Sequence, residues 1–349
     1  MREKLRRLVI TIVLCSFPAA WLAAQQGSGN SLPQSPVRQD TVLYAVEITR
    51  YDWYDQKRQR QVPVKIYYPK TGAGPFPVII FSHGLGGSRE GYEYLGQYWA
   101  SHGYVSAHLQ HLGCDTAVWQ NAERPMLAMA QAVGDLKNAV NRPLDVRFAI
   151  DQVEKMNQEE TPLKGRLDLE RIGLAGHSFG AYTTLAIAGE VFIGPAGNEF
   201  TLADLRVKAA IPMSAPVPRR RDQLDRVFGQ IKIPCLHMTG TRDNSPIGET
   251  RAEERRLPYD HINGPDQYLI IFRDGDHMIF SGRGRLSGGE KDSFFQNFIA
   301  LSSTAFWDAY LKGTAEAKAY LAEGGFAVVL GADGTFEKKL ATTPPAVSP

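Results

Sequence analysis

Cysteine is scarce: three residues in 349, too few for a disulfide framework. Cys15 falls in the N-terminal leader, and the other two, Cys114 and Cys235, lack the spacing of a metal-ligand set. Long apolar runs are missing as well, since nothing after residue 24 is long and apolar enough to span a bilayer. An excess of either charge is also missing. Lys and Arg number 39 against 37 Asp and Glu, and leaving out residues 1–24, with their four basic groups and one acid, gives 35 against 36. Such a balance leaves no nucleic-acid footprint, and the Arg219–Arg221 and Arg255–Arg256 clusters read as solvated faces. No internal repeat is present. What remains, 43% hydrophobic and 22% charged, is an ordinary globular composition, enough for one large domain or two small ones.

The first 24 residues read as a secretory signal peptide. Met1 to Arg7 is basic, Leu8 to Phe17 is apolar, and Leu22-Ala-Ala24 offers a cleavage site before Gln25. An uncleaved anchor is the rival reading, against which Pro18 and the closing small residues argue. Lipoprotein processing at Cys15 lacks the small residue it needs, because Leu14 precedes the cysteine. Residues 25–40, rich in Gly, Ser, Pro and Gln, read as a flexible linker.

From residue 41 to 312 the pattern is that of one α/β domain. Thr41 to Arg50 and Gln61 to Tyr68 are strand-like runs flanking the polar turn Asp55 to Arg58, which predicts an N-terminal antiparallel pair. Strands at Pro77–Phe81, Tyr104–Leu109, Ile172–Ala175, Val207–Ile211, Ile233–Met238 and Tyr268–Phe272 then alternate with helical patterns at Gly91–Ser101, Arg142–Met156 and Ser293–Leu311. This alternation predicts a mostly parallel, doubly wound sheet. Residues 113–141, with a helical pattern at Met126–Val133, are long for a connection and read as a lid or pocket insertion. Gly282 to Gly289 reads as a mobile loop. Residues 313–349 form a C-terminal extension in which Phe326–Leu330 and Ala332–Thr335 suggest a small hairpin, with a frayed end from Thr342.

Chemistry concentrates at Gly176-His-Ser-Phe-Gly180. An apolar run precedes it and a small-residue helical pattern follows, so the motif is strand, sharp turn and helix with Ser178 at the apex. Glycines two positions either side let a strained turn expose the serine hydroxyl. That hydroxyl is a poor nucleophile until a base takes its proton, and the base needs a carboxylate behind it. After the strand ending at Met238 comes Asp243, and after the strand ending at Phe272 comes His277, in the chain order Ser, acid, His. Asp274 and Asp276 are rivals to Asp243, but they are too close in sequence to His277 to reach the far ring nitrogen, and turn roles suit them better. Ser82-His-Gly-Leu-Gly-Gly87 supplies a glycine-rich loop after the third strand. Its Leu85 N–H, with the N–H of Phe179, makes a candidate oxyanion hole. No Lys-Ser/Thr pair follows these glycines, so the loop is not a P-loop. His83 is read as holding the loop by a hydrogen bond, and Tyr92, His111 and Trp119 as pocket wall.

Together Phe81–Gly87, Gly176–Gly180, Asp243 and Asp276-His277 make the chain resemble an α/β-hydrolase. Within that superfamily it is similar to secreted bacterial esterases related to platelet-activating-factor acetylhydrolase, chlorophyllase and polyester hydrolases. The resemblance runs from about Tyr44 to Leu311. It implies a Ser178-His277-Asp243 triad, an oxyanion hole at Leu85 and Phe179, and a small-molecule, lipid or polyester ester as substrate. It implies neither a metal nor an organic cofactor. True dienelactone hydrolases are less similar, because they use cysteine where this chain has Ser178. The expected activity is a secreted or periplasmic serine hydrolase of carboxylic esters. Amide cleavage, acyl transfer and a non-catalytic binding module on the same scaffold stay open.

Cys114 is expected beyond the catalytic end of one strand, and Cys235 at the start of another, at the sheet's opposite end. Thiol titration of the unfolded protein, leader removed, is expected to find two free thiols. Finding none would show the pair bridged.

Overall fold

The computed structural model describes residues 43–194, 196–281 and 289–342. The leader at 1–24, the linker at 25–40, all but the last residue of the 282–289 loop and the tail end from 343 lie outside the described residues.

In chain order come β1 (Val46–Asp55), β2 (Arg60–Pro69), β3 (Phe76–Ser82), α1 (Glu93–Ser101), β4 (Val105–Leu109), α2 (Ala117–Gln120), α3 (Pro125–Gly134) and α4 (Leu136–Gln158). Then follow β5 (Leu167–His177), α5 (Phe179–Ala188), β6 (Val191–Ile193), β7 (Glu199–Thr201), β8 (Val207–Met213), α6 (Leu224–Phe228), β9 (Cys235–Arg242), α7 (Leu257–His261) and β10 (Gln267–Asp276). The chain closes with α8 (Gly289–Trp307), α9 (Ala315–Ala322), α10 (Gly325–Leu330) and β11 (Gly334–Lys339).

One sheet runs in the order β1-β2-β4-β3-β5-β8-β9-β10-β11, and β6 and β7 form a separate small hairpin. The six strands from β4 to β10 pair in parallel, with β1, β2 and β11 antiparallel. This is the doubly wound α/β sheet with an N-terminal antiparallel pair that the alternation predicts. Helices on both faces explain why β3 is buried throughout. Ile79 and Phe81 point to one side, where Trp99 of α1 and Trp307 of α8 meet edge to face at 6.1 Å. Val78 and Ile80 point to the other, against Val146, Ile150 and Val153 of α4. Cys114 and Cys235 are both buried and unbridged.

Beyond shifts at other element ends, three segments differ from the sequence reading in a way that has a physical cause. β1 starts at Val46 rather than Thr41, because its register with β2, Val46 opposite Pro69 through Asp55 opposite Arg60, is set by the four-residue turn at 56–59. α4 begins six residues before Arg142 and carries Pro143 in its interior, capped by the Asp135 side chain on the Lys137 N–H. A proline cannot donate to the carbonyl four residues back. Here that carbonyl, Ala139, accepts from the Tyr182 hydroxyl instead, at 3.3 Å. The expected hairpin at 326–335 is absent. Phe326–Leu330 lies within α10, and β11 joins the main sheet beside β10, where Phe336 stacks on Tyr268 at 5.8 Å. The apolar run therefore packs as a helix turn under the sheet edge, and residues 334–339 extend the sheet.

His108, His111, His177 and His237 are buried. Burial holds His108 down to about 3, His111 and His237 to about 4, and His177 well below 6.5. Neutral in the fold, they gain protons on unfolding at any pH between those values and 6.5, so stability falls as pH drops through that interval. Each contributes up to about 1.4 kcal/mol per pH unit. Glu190, pushed up to about 8 by burial, has the opposite slope between 4.5 and 8, and is outnumbered. The urea midpoint is therefore expected to drop steeply from pH 6.5 to 4.5; a midpoint that holds or rises would contradict neutral buried imidazoles.

Candidate active site

Parallel strands place their following loops at one edge, the usual site of binding crevices in such sheets. Ser82 ends β3, His177 ends β5, Arg242 ends β9 and Asp276 ends β10, so the loops carrying Leu85, Ser178, Asp243 and His277 meet there. Ser178 adopts φ 56° and ψ −116°, a strained conformation for a side-chain-bearing residue, between β5 and α5. The flanking glycines allow backbone contact as well as the turn. A Cβ on Gly180 would stand 1.9 Å from the Ser82 carbonyl oxygen, and one on Gly176 would stand 2.3 Å from the Gly180 oxygen. The first turn of α5 is thus packed directly on the end of β3.

The structure brings the three sequence-selected residues into one line. Ser178 Oγ is 2.9 Å from His277 Nε2, and His277 Nδ1 is 2.7 Å from Asp243 Oδ1. With Nδ1–H donating to the carboxylate, Nε2 is left to accept the serine proton. Of the rivals, Asp274 pairs with Arg242 at 2.7 Å and Asp276 accepts the Met278 N–H at 2.9 Å, both turn roles.

Around Asp243 lie residues that sequence reasoning missed. The Ser214 hydroxyl donates to its Oδ2, and Thr239 Oγ1 does so at 2.9 Å. Arg255 is the larger omission. Grouped with a solvated cluster by sequence, it is only 2% exposed. Its Nε lies 2.6 Å from the Asp243 carbonyl oxygen and 3.0 Å from Oδ1, and its Nη1 donates to the Ser214 and Ala215 carbonyls at 2.6 and 3.0 Å. A carboxylate taken out of water needs such partners. Burial lowers the guanidinium from its ordinary value, and Asp243 opposes that. Only the lone buried partner distinguishes Arg255 from its exposed neighbours, and the sequence carries no mark of it.

The candidate oxyanion donors face the same crevice. Phe179 N–H opens α5, where no carbonyl four residues back is available, and Leu85 N–H has no acceptor among the described residues. His83 holds the loop as expected: its Nδ1–H donates to the Gly84 carbonyl at 2.6 Å, and its Nε2 accepts the His111 N–H at 3.0 Å. Tyr92, with φ 60°, accepts from the Gly84 N–H at 3.2 Å and donates to His177 Nδ1 at 2.9 Å. His177, whose ring is 4.7 Å from that of His277, is kept neutral by burial and by the neighbouring His277 and Arg255.

A cavity of about 340 Å³ opens over Ser178, walled by Leu85, Trp119, Met126, Met129, Phe179 and Ile247. Tyr92 and Trp119 line it as expected, and the Trp119 Nε1–H donates to the Gly86 carbonyl at 2.9 Å. His111 does not line it. Fully buried, it bonds Ser82 Oγ and Asp145 instead, its ring turned toward the end of β3 and α4. Met126, Met129 and Val133 come from α3, inside the 113–141 segment. Among the described residues no group of three or more His, Cys, Asp or Glu is arranged to hold a metal.

The family model described as platelet-activating factor acetylhydrolase, isoform II, matches residues 56–126, from the β1–β2 turn through the glycine loop to α3. The chain has an α/β-hydrolase fold and is similar to the platelet-activating factor acetylhydrolases. Curated relatives of that name are 29% identical in Cavia porcellus, over 37% of this chain and 36% of the relative. Those in Bos taurus and Canis lupus familiaris are 25% and 26% identical, over 59% of this chain and 48% of each relative. The chain thus spans about half or less of the length of the curated relatives it matches. The acetylhydrolase family match covers the glycine loop, Tyr92 and Trp119, and ends before Ser178, Asp243 and His277.

Arg255→Met breaks a buried ion pair and leaves Asp243 short of a partner. A loss of about 3–5 kcal/mol in unfolding free energy is expected, read by urea titration; a loss under about 1 kcal/mol would mean that Asp243 does not depend on it.

Proposed function

We propose that this chain is a secreted serine hydrolase of carboxylic esters, with Ser178 as nucleophile, His277 as general base and Asp243 as the acid that orients it. The observation carrying this reading is the unbroken line from Ser178 Oγ through the imidazole to Asp243, at 2.9 and 2.7 Å, with an apolar cavity above the serine. His277 takes the hydroxyl proton as Ser178 attacks the acyl carbon. The tetrahedral oxyanion lies on the N–H groups of Leu85 and Phe179. The imidazolium, held by Asp243, then protonates the leaving alcohol, and water discharges the acyl-enzyme by the same route.

The relatives' name describes hydrolysis of an acetyl group, which supports an ester as the substrate here. The cavity wall adds to this: its side chains are mostly apolar, and Arg255, the one cation among the described residues that line it, is occupied by Asp243 and two carbonyls. Such a lining suits an uncharged acyl or aryl group. Residues 113–141 act as the wall that selects it. Secretion rests on the leader alone, and the mature N-terminus would be Gln25.

Mass spectrometry after a fluorophosphonate probe is expected to find the adduct on Ser178. Ser178→Ala is expected to lower kcat on p-nitrophenyl esters by about 10⁶-fold with its circular dichroism unchanged. A Ser178→Ala protein that still turns over esters would sink the reading. Esters with a charged acyl chain are expected to turn over more slowly than uncharged ones of equal length.

A further inference from the structure

Below the crevice lies a second Ser-His-Asp line. Ser82 Oγ is 2.9 Å from His111 Nε2, and His111 Nδ1 is 3.0 Å from Asp145 Oδ2, distances like those at Ser178. All three side chains are fully buried, so no substrate reaches them. Their polarity is used by a neighbour. Arg142, on α4 and also fully buried, pairs directly with no carboxylate among the described residues. It is linked to Asp145, which also pairs with Arg58 and Arg60 at 2.7 and 2.8 Å, by a hydrogen-bond chain: Nη2–H donates to Ser82 Oγ at 3.0 Å, Ser82 to His111, and His111 to Asp145.

The remaining contacts of Arg142 reach the two segments that carry the candidate oxyanion donors. On the loop side Nη2 also donates to the His83 carbonyl, two residues before Leu85. On the helix side Nε donates to Thr183 Oγ1 at 2.9 Å, and that hydroxyl donates to the Phe179 carbonyl at 3.0 Å. The guanidinium also stacks 4.6 Å from the Phe179 ring centroid, and Nη1 reaches Cys114 Sγ at 3.1 Å in the insertion. A planar cation with several fixed donors is suited to such a three-way tie, and lysine is not.

We infer that Arg142 is a positioning residue for the oxyanion hole, a buried guanidinium that fixes the distance between the Leu85 and Phe179 N–H groups; this rests on the esterase reading above. The hole works only if both donors aim at one point, and an ångström of misplacement costs about 100-fold in rate. Arg142 touches no substrate. Its effect is expected in kcat and in selectivity for oxygen at the reacting carbonyl.

The test compares p-nitrophenyl butyrate with the matching thionoester, whose sulfur fits an oxygen-shaped hole poorly. Arg142→Met is expected to lower kcat on the oxoester about 100-fold, with KM changed less than about threefold and the oxo-to-thiono preference reduced about tenfold. Arg142→Lys, which keeps the charge, is expected to recover part of each. A folded Arg142→Met protein with kcat within about threefold of wild type, or with both substrates slowed equally, would overturn the inference. Should Arg142→Met fail to fold, Thr183→Val decides. It removes the Nε acceptor and the bond to Phe179, and an unaltered oxo-to-thiono preference would again overturn the proposal. A wild-type protein neither labelled by fluorophosphonate nor active on either ester would sink the esterase reading itself, and the inference with it.

Discussion

The candidate catalytic edge depends on how closely the first turn of α5 lies against the end of β3. With Gly180 over the Ser82 carbonyl, the serine turn and the glycine loop share a backbone surface that no Cβ would fit. That contact brings the Phe179 and Leu85 donors to one crevice and sets Ser178 beside them. Close-packed backbone is stiff, and a strained φ at Ser178 persists only where its surroundings over-determine it. The contact and the strain therefore belong to one device.

Two buried guanidiniums stabilise that edge from opposite sides. Arg255 meets a carboxylate directly, clasping Asp243 and the carbonyls of Ser214 and Ala215. Arg142 meets only neutral acceptors and an aromatic face, and reaches Asp145 through Ser82 and His111. Buried charge is costly unless every donor finds an acceptor, so each cation constrains the backbone that satisfies it. The same side-chain triplet thus occurs twice, at 2.9 and 2.7 Å in one line and 2.9 and 3.0 Å in the other. Solvent access separates them: the Ser178 line opens on an apolar cavity, and the Ser82 line is closed.

Much of this was legible in the sequence. Gly176-His-Ser-Phe-Gly180 located the turn, because strand, glycine, serine, glycine and helix are local features, and Asp243 and His277 followed from strand order. Leu85 and His83 were legible for the same reason, as parts of a glycine loop after a buried strand. Arg255 was not, since a neighbouring Arg256 that pairs with Asp260 and Glu337 at the surface reads identically in one dimension. His111 was placed in the wall because it follows a strand end, and sequence does not show that its ring turns inward to Ser82 and Asp145. α4 was started at Arg142 rather than Leu136, and the Tyr182 hydroxyl that satisfies Ala139 ahead of Pro143 comes from a different element.

Local composition and order by themselves determined the parallel sheet, its antiparallel start, the serine turn and the order of the three candidate catalytic side chains, since each is read from strand, turn and helix signals and their sequence along the chain. Tertiary structure alone decided which of two Ser-His-Asp sets faces a cavity, which arginines are buried, and that β11 extends the sheet beside β10. Those outcomes depend on burial and on pairing between residues far apart in the chain, and no local pattern encodes desolvation.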